Sequence, residues 1–260
     1  MIPYDYQKFV DSLRSHLQSN IEFLGLAVGG SWIDNQLDSF SDIDLILVHR
    51  SPQIPMADRR ALAKAFGNLL ACFSGEHVGE PRLLICLYDN PILHVDLKFV
   101  AMTDMSSRIE EPIILWERDN MLTAYLKHSQ ANFPFPDFQW IEDRFWVWIH
   151  YAAAKIGRGE LFETLTFFSF IQQTVLGPLL LIRNGLLPKG VRKLEMLLPK
   201  EDLLAMQATI AKYDQISCLE ALKNIIDLYL SLRESVIPSS VVRQEHAEAR
   251  VKEYVNNFSF

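Results

Sequence analysis

The chain has 260 residues, 49% of them hydrophobic and 22% charged, enough apolar material for one large core or two smaller ones. A formal charge of −7 argues against a nucleic-acid-coating role, which takes a concentrated basic surface, and leaves room only for a local basic pocket. Cys72, Cys86 and Cys218 have no paired spacing, so they suggest neither a disulfide framework nor a zinc site and fit a cytoplasmic protein.

In chain order, the opening MIPYDYQKFVDSLRSHLQSN has no long apolar run behind basic residues and reads as an amphipathic helix rather than a secretion signal. IEFLGLAV (Ile21 to Val28) reads as a buried strand that ends on the turn Gly29-Gly30-Ser31. SDIDLILV (Ser41 to Val48) is a second strand, whose two-residue period puts Asp42, Asp44 and Ile46 on one face and Ile43, Leu45 and Leu47 on the other. From Met56 to Phe73 the apolar positions recur at three and four, which predicts a helix. RLLICLY (Arg82 to Tyr88) and ILHVDLKFVAM (Ile92 to Met102) give two more strands, joined by the turn residues Asp89-Asn90-Pro91. Beyond Glu117 strand signals nearly vanish.

NFPFPDF (Asn132 to Phe138) carries two prolines spaced by one residue and marks a boundary. The expected organisation is an α/β (α+β) chain, with strands and helices over residues 1–131 and an all-helical bundle over residues 132–260. Helices are expected near Asp137 to Ile156, Glu160 to Leu181, Lys200 to Lys212, Ser217 to Arg233 and Val241 to Asn256. The stretch from Leu165 to Ile182 is uncharged and long enough for a membrane span. Thr166, Ser169, Gln172, Gln173 and Thr174 interrupt it and Gly177-Pro178 would break it, so it reads as a buried helix or helix pair with no membrane involved.

Two aspartates pointing the same way from one strand repel each other unless something pairs them, and a divalent cation does so. Magnesium prefers a few carboxylates plus substrate phosphate oxygens to a full protein cage. Asp96, in HVDLKFV, is a third strand-borne acid, with His94 and Lys98 on its face. If the two strands are neighbours, Asp42, Asp44 and Asp96 form a cluster able to hold two metal ions for phosphoryl transfer. Gly29 and Gly30 let backbone amides approach a phosphate closely, a following helix start favours negative charge, and Ser31 adds a hydroxyl. The turn then holds a triphosphate and the aspartates its metal.

Gly29-Gly30-Ser31, ten residues, Asp42-Ile43-Asp44-Leu45, and later Val95-Asp96-Leu97 resemble the signature of the DNA polymerase beta-like nucleotidyltransferase superfamily. The size and helical second half resemble its antibiotic nucleotidyltransferases, which adenylylate aminoglycosides or lincosamides. The resemblance implies an N-terminal mixed sheet carrying the acids and a helical domain completing the substrate cleft. It further implies that Asp42 and Asp44 bind two magnesium ions, that Asp96 joins one of them, and that Gly30 and Ser31 contact the phosphates of ATP or another nucleoside triphosphate. The motif covers roughly residues 25–100, and the helical half matches only in length and character.

In the second half, Lys155 and Arg158 lie three apart on one side of a helix. The resemblance implies a basic residue from this domain at the triphosphate, for which Lys155 is the first candidate and Arg158 the second; a solvated helix end is the alternative. Some members have a glutamate one turn before such a lysine, where this chain has Tyr151. The general base is therefore open among Asp96, Glu160, His150 and Glu142. Trp140, Phe145, Trp146 and Trp148 read as core of a helix pair rather than a stacking platform. His94 and Lys98 would line the cleft, where Lys98 either neutralises a phosphate or pairs with an acid.

Motif and resemblance together predict a cytoplasmic, magnesium-dependent adenylyltransferase that moves AMP from ATP to a hydroxyl of a small molecule, antibiotics among the acceptors. The same acids serve protein and RNA acceptors, and a motif kept without turnover would give a nucleotide-binding or antitoxin-like interaction protein.

Overall fold

The structure, a computed structural model, describes residues 2–258. The chain divides between Phe133 and Pro134 into two compact units.

The first unit holds helices α1 (Tyr4–Ser19), α2 (Met56–Phe66) and α3 (Met121–Leu126) and strands β1 (Phe23–Val28), β2 (Ile43–His49), β3 (Leu69–Gly75), β4 (Glu80–Tyr88), β5 (Leu93–Ala101) and β6 (Ile113–Glu117). The strands form one mixed sheet in the order β3-β4-β5-β2-β1-β6. Its central pair, β2 and β5, is parallel, and the other neighbours run antiparallel. A two-residue period then sorts the side chains. Ile43, Leu45 and Leu47 of β2 and Val95, Leu97 and Phe99 of β5 are buried in one apolar cluster with Tyr6, Val10, Leu13 and Leu17 of α1 and Ala63 and Phe66 of α2. Spacings of four, three and four along α1 put its four residues on one stripe. Truncating a fully buried leucine such as Leu13 or Leu17 would cost about 2–5 kcal/mol. The opposite face carries a smaller cluster around Leu24, Ala27, Val48, Val100 and Leu122.

The helix starting at Met56 ends at Phe66, and Leu69–Gly75 is an edge strand paired with β4. Its apolar residues fit a helical or an extended reading equally well, and pairing with β4 decides between them. Gly67 marks the change: a Cβ there would stand 3.2 Å from the ring of Tyr88.

The second unit is helical among the described residues: α4 (Phe138–Arg158), α5 (Leu161–Ile171), α6 (Gly177–Arg183), α7 (Leu194–Leu197), α8 (Lys200–Gln207), α9 (Gln215–Val236) and α10 (Glu245–Asn256). Asp137 caps α4 by accepting from the Trp140 amide at 3.0 Å, and Gly159 ends it in the left-handed region at φ 74°. Asp214 caps α9 in the same way through the Ser217 amide at 2.8 Å.

Gly177-Pro178 does not break the apolar run. A π turn, Gln172–Leu176, links α5 to α6, and the Gly177 amide reaches back to the Gln172 carbonyl. The wider turn accommodates a proline that has no N–H to give. Residues Leu161–Arg183 are long and apolar enough to cross a membrane, but half of the most apolar window is buried, and Phe168, Ile171, Val175, Leu176, Leu179 and Leu180 belong to the unit's core. Phe145 and Trp146 are core as expected, whereas Trp140 and Trp148 pack edge-to-face with centroids 5.3 Å apart at the periphery. The helix expected through Lys212 stops at Gln207, where the Thr209 hydroxyl folds back onto the Met206 carbonyl and the Gln172 amide holds Thr209.

Candidate metal centre

The parallel pairing of β2 with β5 sets Asp44 directly opposite Asp96 in the ladder. Asp42 lies one residue before β2 begins. One carboxylate oxygen from each of Asp42, Asp44 and Asp96 lies within 4.8 Å of the others, and all three residues are half-buried. The adjacency the cluster needs is thus present. Both strands turn their odd-numbered, apolar residues towards α1 and α2, so the acids share the opposite face of the sheet.

Like charges this close on a half-buried surface disfavour simultaneous ionisation. Burial pushes the Asp96 carboxyl above the usual carboxylate range and the Asp42 charge adds to it, while His94 acts the other way from 3.2 Å. Three oxygen donors, partly desolvated and mutually repulsive, fit a hard divalent cation. Asp42, Asp44 and Asp96 would be its protein ligands.

The glycine turn packs on this cluster. The Gly29 amide donates to the Asp44 carbonyl at 3.0 Å, continuing the β1–β2 contacts past the end of β1. Gly30 has φ +60°, and a Cβ there would sit 1.9 Å from Oδ2 of Asp44. Glycine is therefore required twice over, for the dihedral and for the space that Asp44 fills. The chain then makes a single 3-10 turn, Gly30–Trp32, rather than the helix start expected, so the charge-favouring field of a full helix terminus is absent there. Ser31 lies in this turn, half-buried, its carbonyl accepting from the Gln36 amide at 3.0 Å.

Glu110 is the residue that sequence reasoning missed. Its Oε1 accepts from the Gly30 amide at 2.8 Å and would stand 2.6 Å from a Cβ at Gly29. It lies in a coil before β6, where no strand or helix period singles it out, and only the fold brings it to the turn.

The other candidates find partners. Lys98 forms an ion pair with Glu80 at 2.7 Å, and Glu80 also takes Arg82 at 2.7 Å. Of the two roles considered for Lys98, pairing with an acid is the one observed. In the second unit Lys155 contacts Glu160 at 2.5 Å and Glu163 at 3.6 Å, with its ammonium 5.3 Å from the centre of the Tyr151 ring. The Glu160 hydrogen bond holds that ammonium above its ordinary range. Tyr151 donates its hydroxyl to Glu163. Arg158 lies 3.7 Å from Glu160 and is well exposed.

Among the candidate bases, Glu142 is corrected. It is fully buried and accepts from Tyr229, from Arg233 at 3.3 Å and from the Gln244 amide at 3.0 Å, so it ties α4 to α9 and α10 rather than facing a ligand. His150 is exposed, 4.8 Å from the ring of Tyr254.

No family model and no curated protein matches the chain. Among solved structures it is similar to an aminoglycoside 6-adenyltransferase from Bacillus subtilis, at 12% identity over 96% of this chain and 97% of that one, with a TM-score of 0.41. It is also similar to a nucleotidyltransferase-like protein from Exiguobacterium sibiricum, at 14% identity over 96% of this chain and 88% of that one, with a TM-score of 0.38.

Proposed function

We propose that the chain is a cytoplasmic, magnesium-dependent nucleotidyltransferase that moves a nucleoside monophosphate, AMP from ATP, onto a hydroxyl of a small molecule and releases pyrophosphate. The observation that carries this reading is the meeting of Asp42, Asp44 and Asp96 within 4.8 Å on the sheet face beside the Gly30 turn. The resemblance of the motif to the DNA polymerase beta-like signature supports the choice of reaction.

In this reading the acceptor oxygen forms a bond to the α-phosphorus, the bond from that phosphorus to the bridging oxygen breaks, and the hydroxyl proton passes to a base. Two magnesium ions bound by the three aspartates would neutralise charge on the attacking and leaving oxygens. Asp42 and Asp44 would hold both ions and Asp96 one of them. Gly29 shapes the turn, and Gly30 and Ser31 meet the nucleotide phosphates at close range, with the Gly30 amide exchanging its Glu110 partner for a phosphate oxygen. Lys155, with Arg158 second, contributes positive charge towards the triphosphate. Catalysis in such a site is mostly positioning and charge stabilisation. Antibiotic hydroxyls are the proposed acceptor class.

The test is pyrophosphate release from each nucleoside triphosphate with magnesium, across a panel of aminoglycosides, lincosamides and other hydroxyl compounds. Release that depends on acceptor, is stopped by a chelator and is lost in Asp44→Asn is the expected result. Absence of both release and metal-dependent nucleotide binding would sink the reading.

A further inference from the structure

Five residues along β2 from Asp44, roughly 16 Å away at the usual strand rise, lies a second polar site. His49, which ends β2, and Arg59 of α2 line a pocket of about 220 Å³ together with Arg82, Phe99 and Asp104. Arg59 is only 4% exposed and stands on the inward face of its helix, beside Ala63 and Phe66. Its Nε donates to the Ile54 carbonyl at 2.8 Å, its Nη1 to the Pro81 carbonyl at 2.9 Å, and the Phe99 ring centre lies 5.6 Å from its Cζ.

These contacts hold the guanidinium in place but leave its charge unmatched. Among the described residues Arg59 makes no ion pair, although Glu80 and Arg82 are near enough to act on it electrostatically. Glu80 is already shared between Arg82 and Lys98, both at 2.7 Å, and Asp104 lies 3.5 Å from Arg82. Two cations, Arg59 and Arg82, thus line the pocket with one carboxylate, Asp104. His49 adds no charge near neutral pH, because burial pushes its imidazole below the ordinary range. Burying a lone cation is costly, and an anion on its open side removes that cost. A guanidinium presents paired donors that match the oxygens of a phosphate or carboxylate.

We propose that the pocket between His49, Arg59 and Arg82 is a binding site for a small oxyanion, a phosphoryl or carboxylate group, distinct from the acid cluster. The volume admits such a group with further atoms attached. Asp104 sits on its rim and limits affinity by repulsion.

The test uses the full chain without divalent cations, titrated separately with inorganic phosphate and with acetate, by calorimetry and by the ring resonances of His49 and His94. Saturable binding that shifts His49 and leaves His94 in place is expected, and the tighter of the two anions identifies the ligand class. Asp104→Asn should tighten binding roughly three- to tenfold, as removal of a partly screened like charge does, and Arg59→Met should abolish it. If Arg59→Met does not fold, Asp104→Asn decides. No saturable binding of either anion, binding that leaves His49 unshifted, or an Asp104→Asn affinity equal to the parent's would each overturn the proposal.

Discussion

Replacing Gly30 by alanine separates the conformational role of the glycine turn from its role at the acid cluster. Two costs arise at Gly30. The left-handed dihedral, φ +60°, costs a residue with a Cβ about 1–2 kcal/mol. The new Cβ would also stand 1.9 Å from Oδ2 of Asp44, closer than any real contact, while the nearest other atoms are the Cγ and Cβ of the same side chain at 3.0 and 3.5 Å. The clash is therefore relieved by swinging the Asp44 carboxylate away from the place it holds beside Asp42 and Asp96. Gly79 supplies the control: φ is +75° and a Cβ there meets nothing within 4 Å. Gly79→Ala should therefore lose about 1–2 kcal/mol by urea denaturation, and Gly30→Ala at least as much. Manganese(II) affinity, read by paramagnetic relaxation, should stay at the parent value in Gly79→Ala. In Gly30→Ala it should fall by at least roughly the 10–100-fold attached to disturbing the groups that orient metal ligands. Parent-like manganese affinity in Gly30→Ala, with the expected loss of stability, would refute a metal role for Asp44.

Three other perturbations have defined outcomes. The Asp96 carboxyl is held above its ordinary range by burial and by Asp42, so the folded state binds that proton more tightly than the unfolded one and loses stability as pH rises through this range. Asp96→Asn should then stabilise the metal-free protein at pH 7, and a lower denaturation midpoint for the variant would count against the repulsive cluster. Glu80 is held down to about 2 by its hydrogen bond to Arg82 and by Lys98, so its contribution is present above the ordinary carboxylate range and disappears as pH falls towards 2. Glu80→Gln should cost on the order of 1–2 kcal/mol at pH 7, allowing for solvent screening, and nothing near pH 2; a pH-independent cost would show that the loss is not electrostatic. Glu142→Ala strips the buried Arg233 of one of its acidic partners, Glu248 remaining at 2.8 Å, and should destabilise the protein by about 3 kcal/mol while leaving manganese affinity unchanged.

How far these features are legible in the sequence depends on how local their cause is. The shared face of Asp42 and Asp44, and that of Asp96 with His94 and Lys98, follow from the strand period alone, and the hairpin at Asp89-Asn90-Pro91 joins neighbours in sequence. The parallel pairing of β2 with β5 is not local. It depends on α2, β3 and β4 being completed in between, and the sequence offers only the condition that the strands be adjacent. Leu69–Gly75 shows the same limit from the other side: its apolar run has no decisive period, and partnership with β4 selects the strand. Glu142, read as a candidate base from its chemistry, is buried because α9 brings Tyr229 and Arg233 to it and the Gln244 amide at the start of α10 joins them. Arg59 is its counterpart in the first unit, a charge on the inward face of α2 that an apolar pattern passes over.

The Glu110 carboxylate on the Gly30 amide acts as a resident placeholder. It holds the turn in shape while no other anion is there, so an incoming phosphate finds the backbone already arranged and loses little entropy in ordering it. The incomer must evict an equivalent partner to take that amide. Its net gain is the difference between two charge-assisted hydrogen bonds, not the whole of one. A contact with that balance adds little to how tightly an anion is held and much to which anion is accepted, because only a group shaped to engage the turn better than a carboxylate gains by the exchange.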